Sequence, residues 1–432
     1  MKSNYRYNIY KFYSTLKSKL AAGSPFSQMV VKVMKWGKDF AVKVYVFYVS
    51  RVKYSLSLPL FVSNHENFIN EVQASPRDIR FLSQNFQGKR DRPQPIKGGG
   101  WDKSGQQIEK SELYLAAIDA FEKNSDLDGN MFLYMVMNDI DNGHSQLGCR
   151  DKQSFLNLWQ DLQDLYNKKE LLSKSITNDY LSSWEPVRID IGRHGDLLLS
   201  RGELSLIIAK ILDLQTIPVR ILTRHTKWVK FRKRFQDLVT TVGSLAYQPP
   251  LHPDLMFIPA EQSCVERYEI IKRNMSFTEG KLLELGANAG FFSIKFEDDG
   301  FNCVAVESFP GFVFCLRGQR RALNKNFTII PESFLNREDI LDQEFDVVLA
   351  LNVLSHLTVH KEDFEKLNHF LENLRCKEMF FEPYSPTDPQ MKNAYVNMNE
   401  DEFADYVREK LRLAKVELIG RASDKRRIYK IH

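Results

Sequence analysis

The stretch KLLELGANAGFFSIKF, Lys281 to Phe296, decides how this chain is read. A short apolar run leads through an acid, Glu284, into a turn with glycines at 286 and 290. A second apolar run with helical spacing follows. Strand, tight turn and helix are therefore predicted in succession. In dinucleotide-binding folds a G-x-G-x-x-G turn sets backbone N–H groups and a helix N-terminus against a pyrophosphate. Here the middle glycine of that pattern falls at Asn288 and its last at Phe291, so the pattern is broken twice. A carboxylate at Glu284 would also repel a pyrophosphate; it suits a ligand that carries positive charge.

Working outward, the same alternation continues from Met256 to the C-terminus. NCVAVES (302–308), FTIIP (327–331), FDVVLALNVL (345–354) and EMFFEPY (378–384) read as strands, with helical patterns between them. The long apolar run at 345–354 is typical of a buried central strand. KVELIG (415–420) and RRIYKI (426–431) close the chain as two strands with no helix between them, which predicts an antiparallel hairpin on one edge. Strands alternating with helices predict an α/β fold with a parallel, doubly wound sheet, seven strands in all. Glu307 ends the second strand, where a carboxylate can accept both hydroxyls of a ribose. A phosphate-free nucleoside bearing an ammonium and a sulfonium, S-adenosylmethionine, meets both requirements. The plainer reading is two surface glutamates and a glycine turn in any α/β protein.

Residues 256–432, with LLELGANAGFFSI and VAVES, resemble the class I S-adenosylmethionine-dependent methyltransferases. The resemblance implies a Rossmann-like fold and that cofactor. It implies that Glu284, Gly286, Ala287, Asn288 and Gly290 line its methionine and ribose portion, that Glu307 binds the ribose, and that Asn352, after the fourth strand, lies beside the sulfonium. Glu332 and Ser333 are weaker candidates for the adenine pocket. Methyl transfer needs a general base only when the nucleophile keeps its proton, as a hydroxyl does. His356 is the candidate base, a packed or capping histidine being its plainer reading. Glu382 and Tyr384 are candidate substrate-binding residues. The [N/D]-P-P-[Y/F] turn of amino methyltransferases is missing, since Leu351-Asn352-Val353-Leu354 stands there. The expected activity is methylation of a hydroxyl on a sugar, glycan precursor or small metabolite. A nucleic-acid methyltransferase and a non-catalytic cofactor-binding protein are the alternatives.

Upstream, VRIDIGRHGDLLLSRGELSLIIAKILDLQTIPVRILTRH (187–225) reads as strand, turn, strand, helix, strand. The order of elements, IAKIL…IPVRIL and the trailing Arg224-His225 resemble the ParB-like (ParB/sulfiredoxin) domain. That family's phosphate-binding motif aligns with Arg201, Gly202, Glu203, Leu204 and Ser205, where only the glycine is kept, so the resemblance implies a degenerate scaffold or specificity module. From Arg220 to Arg234 seven cations run without an acid, with Trp228 and Phe231 interleaved. This is either a phosphate-tracking patch or a solvated helix face. The expected domains are an N-terminal region of unclear fold (1–95), a mainly helical region (96–183), the ParB-like α+β module (184–235), a linker (236–255) and the methyltransferase domain (256–432).

The bulk numbers bound these readings. Of 432 residues 43% are hydrophobic and 27% charged, with a net charge of +5, so composition alone does not demand a nucleic-acid partner. Five scattered cysteines with no C-x-x-C pair predict neither a disulfide framework nor a zinc site, and point to a reducing, cytoplasmic setting. Asp126, Asp128, Asp139 and Asp141 fit no calcium-binding loop and read as solvated turn carboxylates, so no metal is expected. The basic, aromatic N-terminus is no secretory signal. Lys43, Arg51 and Lys53 interrupt the apolar stretch 40–62, which disfavours a transmembrane helix. Peripheral membrane contact by residues 1–62 is an expectation, beside core packing with solvated lysines.

Overall fold

A computed structural model of the chain describes residues 70–84, 95–103, 105–123, 130–168, 184–243, 245–261 and 263–432. The expectations for residues 1–62, and for Asp126 and Asp128, lie outside these.

Residues 280–431 form one seven-stranded sheet. With strands β1 (Glu71–Ala74), β2 (Ile79–Leu82), β3 (Ile96–Lys97), β4 (Val187–Ile191), β5 (Leu197–Arg201) and β6 (Ile217–His225) belonging to the upstream part, the sheet begins at β7 (Gly280–Leu285). It continues with β8 (Phe301–Val306), β9 (Thr328–Ile330), β10 (Glu344–Leu351), β11 (Arg375–Glu382), β12 (Val416–Arg421) and β13 (Arg427–Ile431). The strand order is β12-β13-β11-β10-β7-β8-β9. All pairings are parallel except those of β13, which runs antiparallel to both β11 and β12. This is the α/β, Rossmann-like doubly wound sheet that the alternation predicts. The closing hairpin is there, but its second strand is inserted between β11 and β12, so of the two only β12 is an edge. The chain winds from β7 through β8 to β9 in one direction, then returns to β10 on the other side of β7. Ligands of such sheets sit at the carboxyl ends of the strands where that reversal occurs.

Strands β7, β8, β10 and β11 are buried over most of their length, as strands covered on both faces must be. One apolar cluster, built on Leu283, Val348, Phe370 and Phe381, fills one face. A second, built on Leu282, Phe292, Leu349 and Phe380, fills the other. Alternate residues of the same strands thus serve opposite layers.

The upstream part is a second sheet of six strands, β1-β6-β4-β5-β2 with β3 also on β6. The unit at 187–225 is present as read, with helix between its strands, but it does not close on itself. Strands β1 and β2, inside the region of unclear fold, and β3, at the start of the region expected to be helical, complete its sheet, and β6 carries β1 on one flank and β4 on the other. Three helices, α1 (Glu112–Lys123), α2 (Met131–Asp141) and α3 (Lys152–Asn167), make up most of what is described between 96 and 183. Within this region Asp139 and Asp141 lie on α2 rather than in a turn; Asp141 pairs with Lys152 and Asp139 accepts from Gln146. Helix α4 (Glu203–Ile211) is buried on nearly every side. Helix α5 (Thr226–Val242) runs on into what the sequence predicts as linker. Residues 245–255, the rest of that linker, contact both the upstream part and the seven-stranded domain rather than spanning a gap. Among the described residues no helix is long and apolar enough to cross a membrane, and no group of three or more His, Cys, Asp and Glu is placed to hold a metal ion.

Candidate functional site

The reversal point between β7 and β10 gathers the turns after β7, β8, β10 and β11 at one end of the sheet. After β7 the chain turns sharply. The amides of Gly286 and Ala287 donate to the carbonyl of Val306, which locks the turn to β8. Gly286 has φ +76° and Gly290 φ +94°, the left-handed region that glycine enters freely. A Cβ on Gly290 would collide with Leu316, so the second glycine is required twice over. Asn288, between them, is also left-handed at φ +50°, which asparagine tolerates. Gly290 is the N-cap of α7 (Phe291–Asp298), the helix that follows α6 (Ser263–Asn274) and β7 in the chain.

Glu284 lies on β7 and is 3% exposed. Its Oε2 accepts from the amide and the hydroxyl of Ser293 on α7. Burial pushes its carboxyl up to about 7, against the pull of the Ser293 hydrogen bonds and with the charge of Glu307 adding to the rise. The sequence places an open carboxylate here; the structure places a covered one, half-protonated near neutrality. The pH consequence has a definite sign. The folded value lies above the ordinary 4.5, so between about 4.5 and about 7 the folded state holds a proton that the unfolded chain has lost. This group's contribution to stability therefore falls as pH rises through that window. Urea unfolding at several pH values should show a slope there that Glu284→Gln flattens.

Glu307 follows β8 and is 8% exposed. It accepts from the Asn288 amide at 2.8 Å and the Phe309 amide at 2.7 Å, joining the glycine turn to the start of the next helix, α8 (Pro310–Ala322). Burial raises its pKa, while those amide bonds oppose the rise. Asn352 follows β10 with φ +60° and is 6% exposed. Its Nδ2 donates to the Tyr247 hydroxyl at 2.7 Å and to Glu382. Its Oδ1 is buried with no hydrogen-bond partner. A buried acceptor left so costs about 1–3 kcal/mol, and an N–H donor from a ligand would satisfy it.

Glu382 differs from its expected place at the rim. It is wholly buried, and Arg267 of α6, also wholly buried, holds it with Nε at 2.5 Å and Nη2 at 2.8 Å. The same guanidinium reaches Ser263 and Asp424 at 2.6 Å each. Both Glu382 oxygens are thus committed, and the residue holds Asn352 and Arg267 in place rather than facing an acceptor. Tyr384 and His356 do stand together at the rim, with the Tyr384 hydroxyl 3.1 Å from His356 Nε2. His356 is exposed as a residue, while its Nε2 edge is covered by Tyr384. Local desolvation, then the nearby Arg426 charge, lowers its pKa below the usual 6.5 and keeps the imidazole neutral at physiological pH. Arg426, in the turn between β12 and β13, lies 4.7 Å over the Tyr384 ring. Glu332 is exposed and bonded to Arg337, and Ser333 caps a short turn, so neither joins this group.

Two residues that contact this group come from the segment read as linker. Gln248 Oε1 accepts from the amides of Gly290 at 3.1 Å and Phe291 at 2.9 Å, which occupies the N-terminus of α7. Its neighbour Tyr247 holds Asn352. The only local sign was the pair of prolines after them, Pro249 and Pro250, which also reads as a joint.

The residues fit a cationic nucleoside: two carboxylates at the head of the turn, an unsatisfied amide oxygen, and glycines where backbone must approach closely.

No family model matches the chain, and no curated protein matches it. Among solved structures it is similar to the bifunctional kinase-methyltransferase WbdD at 18% identity and TM-score 0.34, over 45% of this chain and 45% of that one. It is similar to a SAM-dependent methyltransferase from Archaeoglobus fulgidus at 15% identity and TM-score 0.29, over 37% of this chain and 72% of that one. It is also similar to the methyltransferase domain of bacterial CtHen1-CN at 15% identity and TM-score 0.32, over 39% of this chain and 99% of that one. The chain thus spans a little under half the length of WbdD.

Proposed function

We propose that residues 256–432 bind S-adenosylmethionine and transfer its methyl group to an acceptor hydroxyl. The observation that carries this reading is the pair of buried carboxylates, Glu284 and Glu307, which repel one another at the head of the glycine turn. A pyrophosphate would worsen that repulsion; an ammonium and a sulfonium relieve it. Glu307 would take the ribose hydroxyls, exchanging backbone amides for them. Asn352 Oδ1 would take an ammonium N–H. Gly286 and Gly290 would let the ligand approach the backbone. When bound, the cofactor supplies an activated methyl group, and the chain's task is to place the acceptor in line and keep water out.

The acceptor's proton goes to His356 in this reading. A neutral imidazole, steered by Tyr384 through its Nε2 contact, can draw that proton as the oxygen attacks. His356→Ala should lower kcat by about 100- to 10,000-fold, the usual worth of a positioned base, while leaving cofactor affinity unchanged. The pH–rate profile of the native protein should lose activity on an acid limb below pH 6.5, in the direction of the lowered imidazole pKa. Equal turnover by the variant would remove His356 from the chemistry. Incubation with labelled cofactor and fractionated cell extract identifies the acceptor class, with a sugar, glycan precursor or small metabolite expected to take up label. The upstream sheet, a degenerate ParB-like module in this reading, would recognise that acceptor. The Gln248 and Tyr247 contacts tie it to the cofactor site.

A further inference from the structure

The cation run of α5 packs along α8 of the seven-stranded domain, and the two helices share a seam. Gly318 of α8 has no room for a methyl group against the Phe231 ring, and the Arg234 guanidinium lies 3.8 Å over Phe314. At one end Gly195 lies against both Ala322 of α8 and Trp228 of α5; at the other, Leu238 meets Gly311. Two helices therefore run antiparallel with aromatic rings closing the contact beneath them. Flanking it are Lys227, Lys230 and Arg234 at i, i+3 and i+7 on α5, and Arg317 and Arg321 at i and i+4 on α8. Lys227, Lys230, Arg317 and Arg321 are exposed, and none forms an ion pair among the described residues. The α8 sequence, PGFVFCLRGQRRA, contains no acid, and the only acid of α5 is Asp237, which pairs with Lys233. Arg321 also acts on His194, whose pKa is lowered by burial and then by this charge, so the positive potential continues past the end of the seam.

We propose that this seam is a docking surface for the phosphodiester backbone of a nucleic-acid strand. Lys227, Lys230, Arg317 and Arg321, exposed on two helices packed against each other, raise a positive potential that an anion lowers. Residues four apart on a helix rise by about 6 Å, so each helix offers a row of regularly spaced charges rather than a point site. Trp228 is buried and Phe231 and Phe314 are half-buried against one another in the seam, so phosphates rather than bases are what the surface reads. None of the large exposed apolar residues described lies on either helix, which argues against insertion into a lipid surface. The proposal stands apart from the methyl-transfer reading, since no residue of the cofactor site takes part.

The test is fluorescence anisotropy with the full chain and a labelled mixed-sequence 20-nucleotide strand, as RNA and as DNA. Binding is expected at low salt. The plot of log affinity against log salt should have a slope of about −3, as about four neutralised phosphates give on a single strand. Lys230→Glu with Arg317→Glu should weaken binding by about tenfold or more and flatten that slope by about 1.4. The control Lys361→Glu, on an exposed helix elsewhere, should leave both unchanged. Thermal melting and cofactor titration of the same variants separate loss of docking from loss of fold. No binding to either strand at low salt would overturn the proposal. So would equal affinity of the charge-reversed variant, or retention on phosphatidylserine vesicles without any oligonucleotide binding.

Discussion

Replacing Arg267 by methionine should destabilise the C-terminal sheet by about 3–5 kcal/mol, the usual cost of leaving one partner of a buried ion pair alone. The size follows from the geometry. Arg267 and Glu382 are both without exposed surface, and the guanidinium makes paired contacts to the carboxylate. Its removal leaves the buried Glu382 with only Asn352 and the more distant Arg426, 4.0 Å away, and takes away the Arg267 contacts of Asp424 and Ser263. Glu382 also fixes Asn352, so cofactor affinity should fall along with stability. The double variant Arg267→Met, Glu382→Met removes both charges and should recover most of the lost stability, because the uncompensated charge rather than the missing pair carries the cost. Cofactor affinity should not return with it, since Asn352 has lost its anchor. Urea unfolding followed by circular dichroism reads the first effect and titration calorimetry the second. A loss under about 1 kcal/mol in the single variant would show that the pair is hydrated, contrary to the burial described.

Glu307→Ala should weaken S-adenosylmethionine binding by about 100-fold or more. Two hydrogen bonds from ribose hydroxyls to a charged acceptor contribute about 1.5–3 kcal/mol each. The substitution also removes the acceptor for the Asn288 and Phe309 amides, so the glycine turn loosens as well. Glu307→Gln separates the contributions. It retains one side-chain oxygen as acceptor and loses the charge, and should weaken binding by about tenfold, consistent with charged hydrogen bonds being roughly twice as strong as neutral ones. Melting temperatures of the two variants show whether the loosened turn alone explains the loss. Unchanged affinity in both would place the ribose elsewhere.

The C-terminal fold was legible because its signals are local. Apolar runs at 281–285, 302–306 and 345–351 are flanked by helical patterns, and the order of those runs fixes the winding. The glycine turn was legible for the same reason, since Gly286 and Gly290 are needed by their own backbone angles. What escaped is long-range. Arg267 and Glu382 stand 115 residues apart, and nothing near either marks the pair. A glutamate at a strand end reads as a rim residue, and only the Arg267 guanidinium turns it inward. Gln248 and Tyr247 sit among prolines that signal a joint, yet they reach the glycine turn and Asn352 because the joint folds back on the seven-stranded domain. The upstream sheet was misjudged in extent for a related reason. β1 and β2 are four residues each, too short for their pattern to stand out, and their pairing to β6 and β5 crosses more than a hundred residues. The sequence also read Glu284 as an open charge. Its burial comes from Ser293 and the packing of α7, which the turn's own residues do not announce.

The central claim is that the glycine turn receives a cationic, phosphate-free nucleoside. Isothermal titration of the full chain with S-adenosylmethionine, and separately with NAD, tests it most directly. Binding of the first is expected, with a heat that varies with the buffer's ionisation enthalpy near pH 7, because an ammonium beside Glu284 should drive off its proton; NAD should give no heat. Binding of NAD with none of S-adenosylmethionine would contradict the assignment at its root.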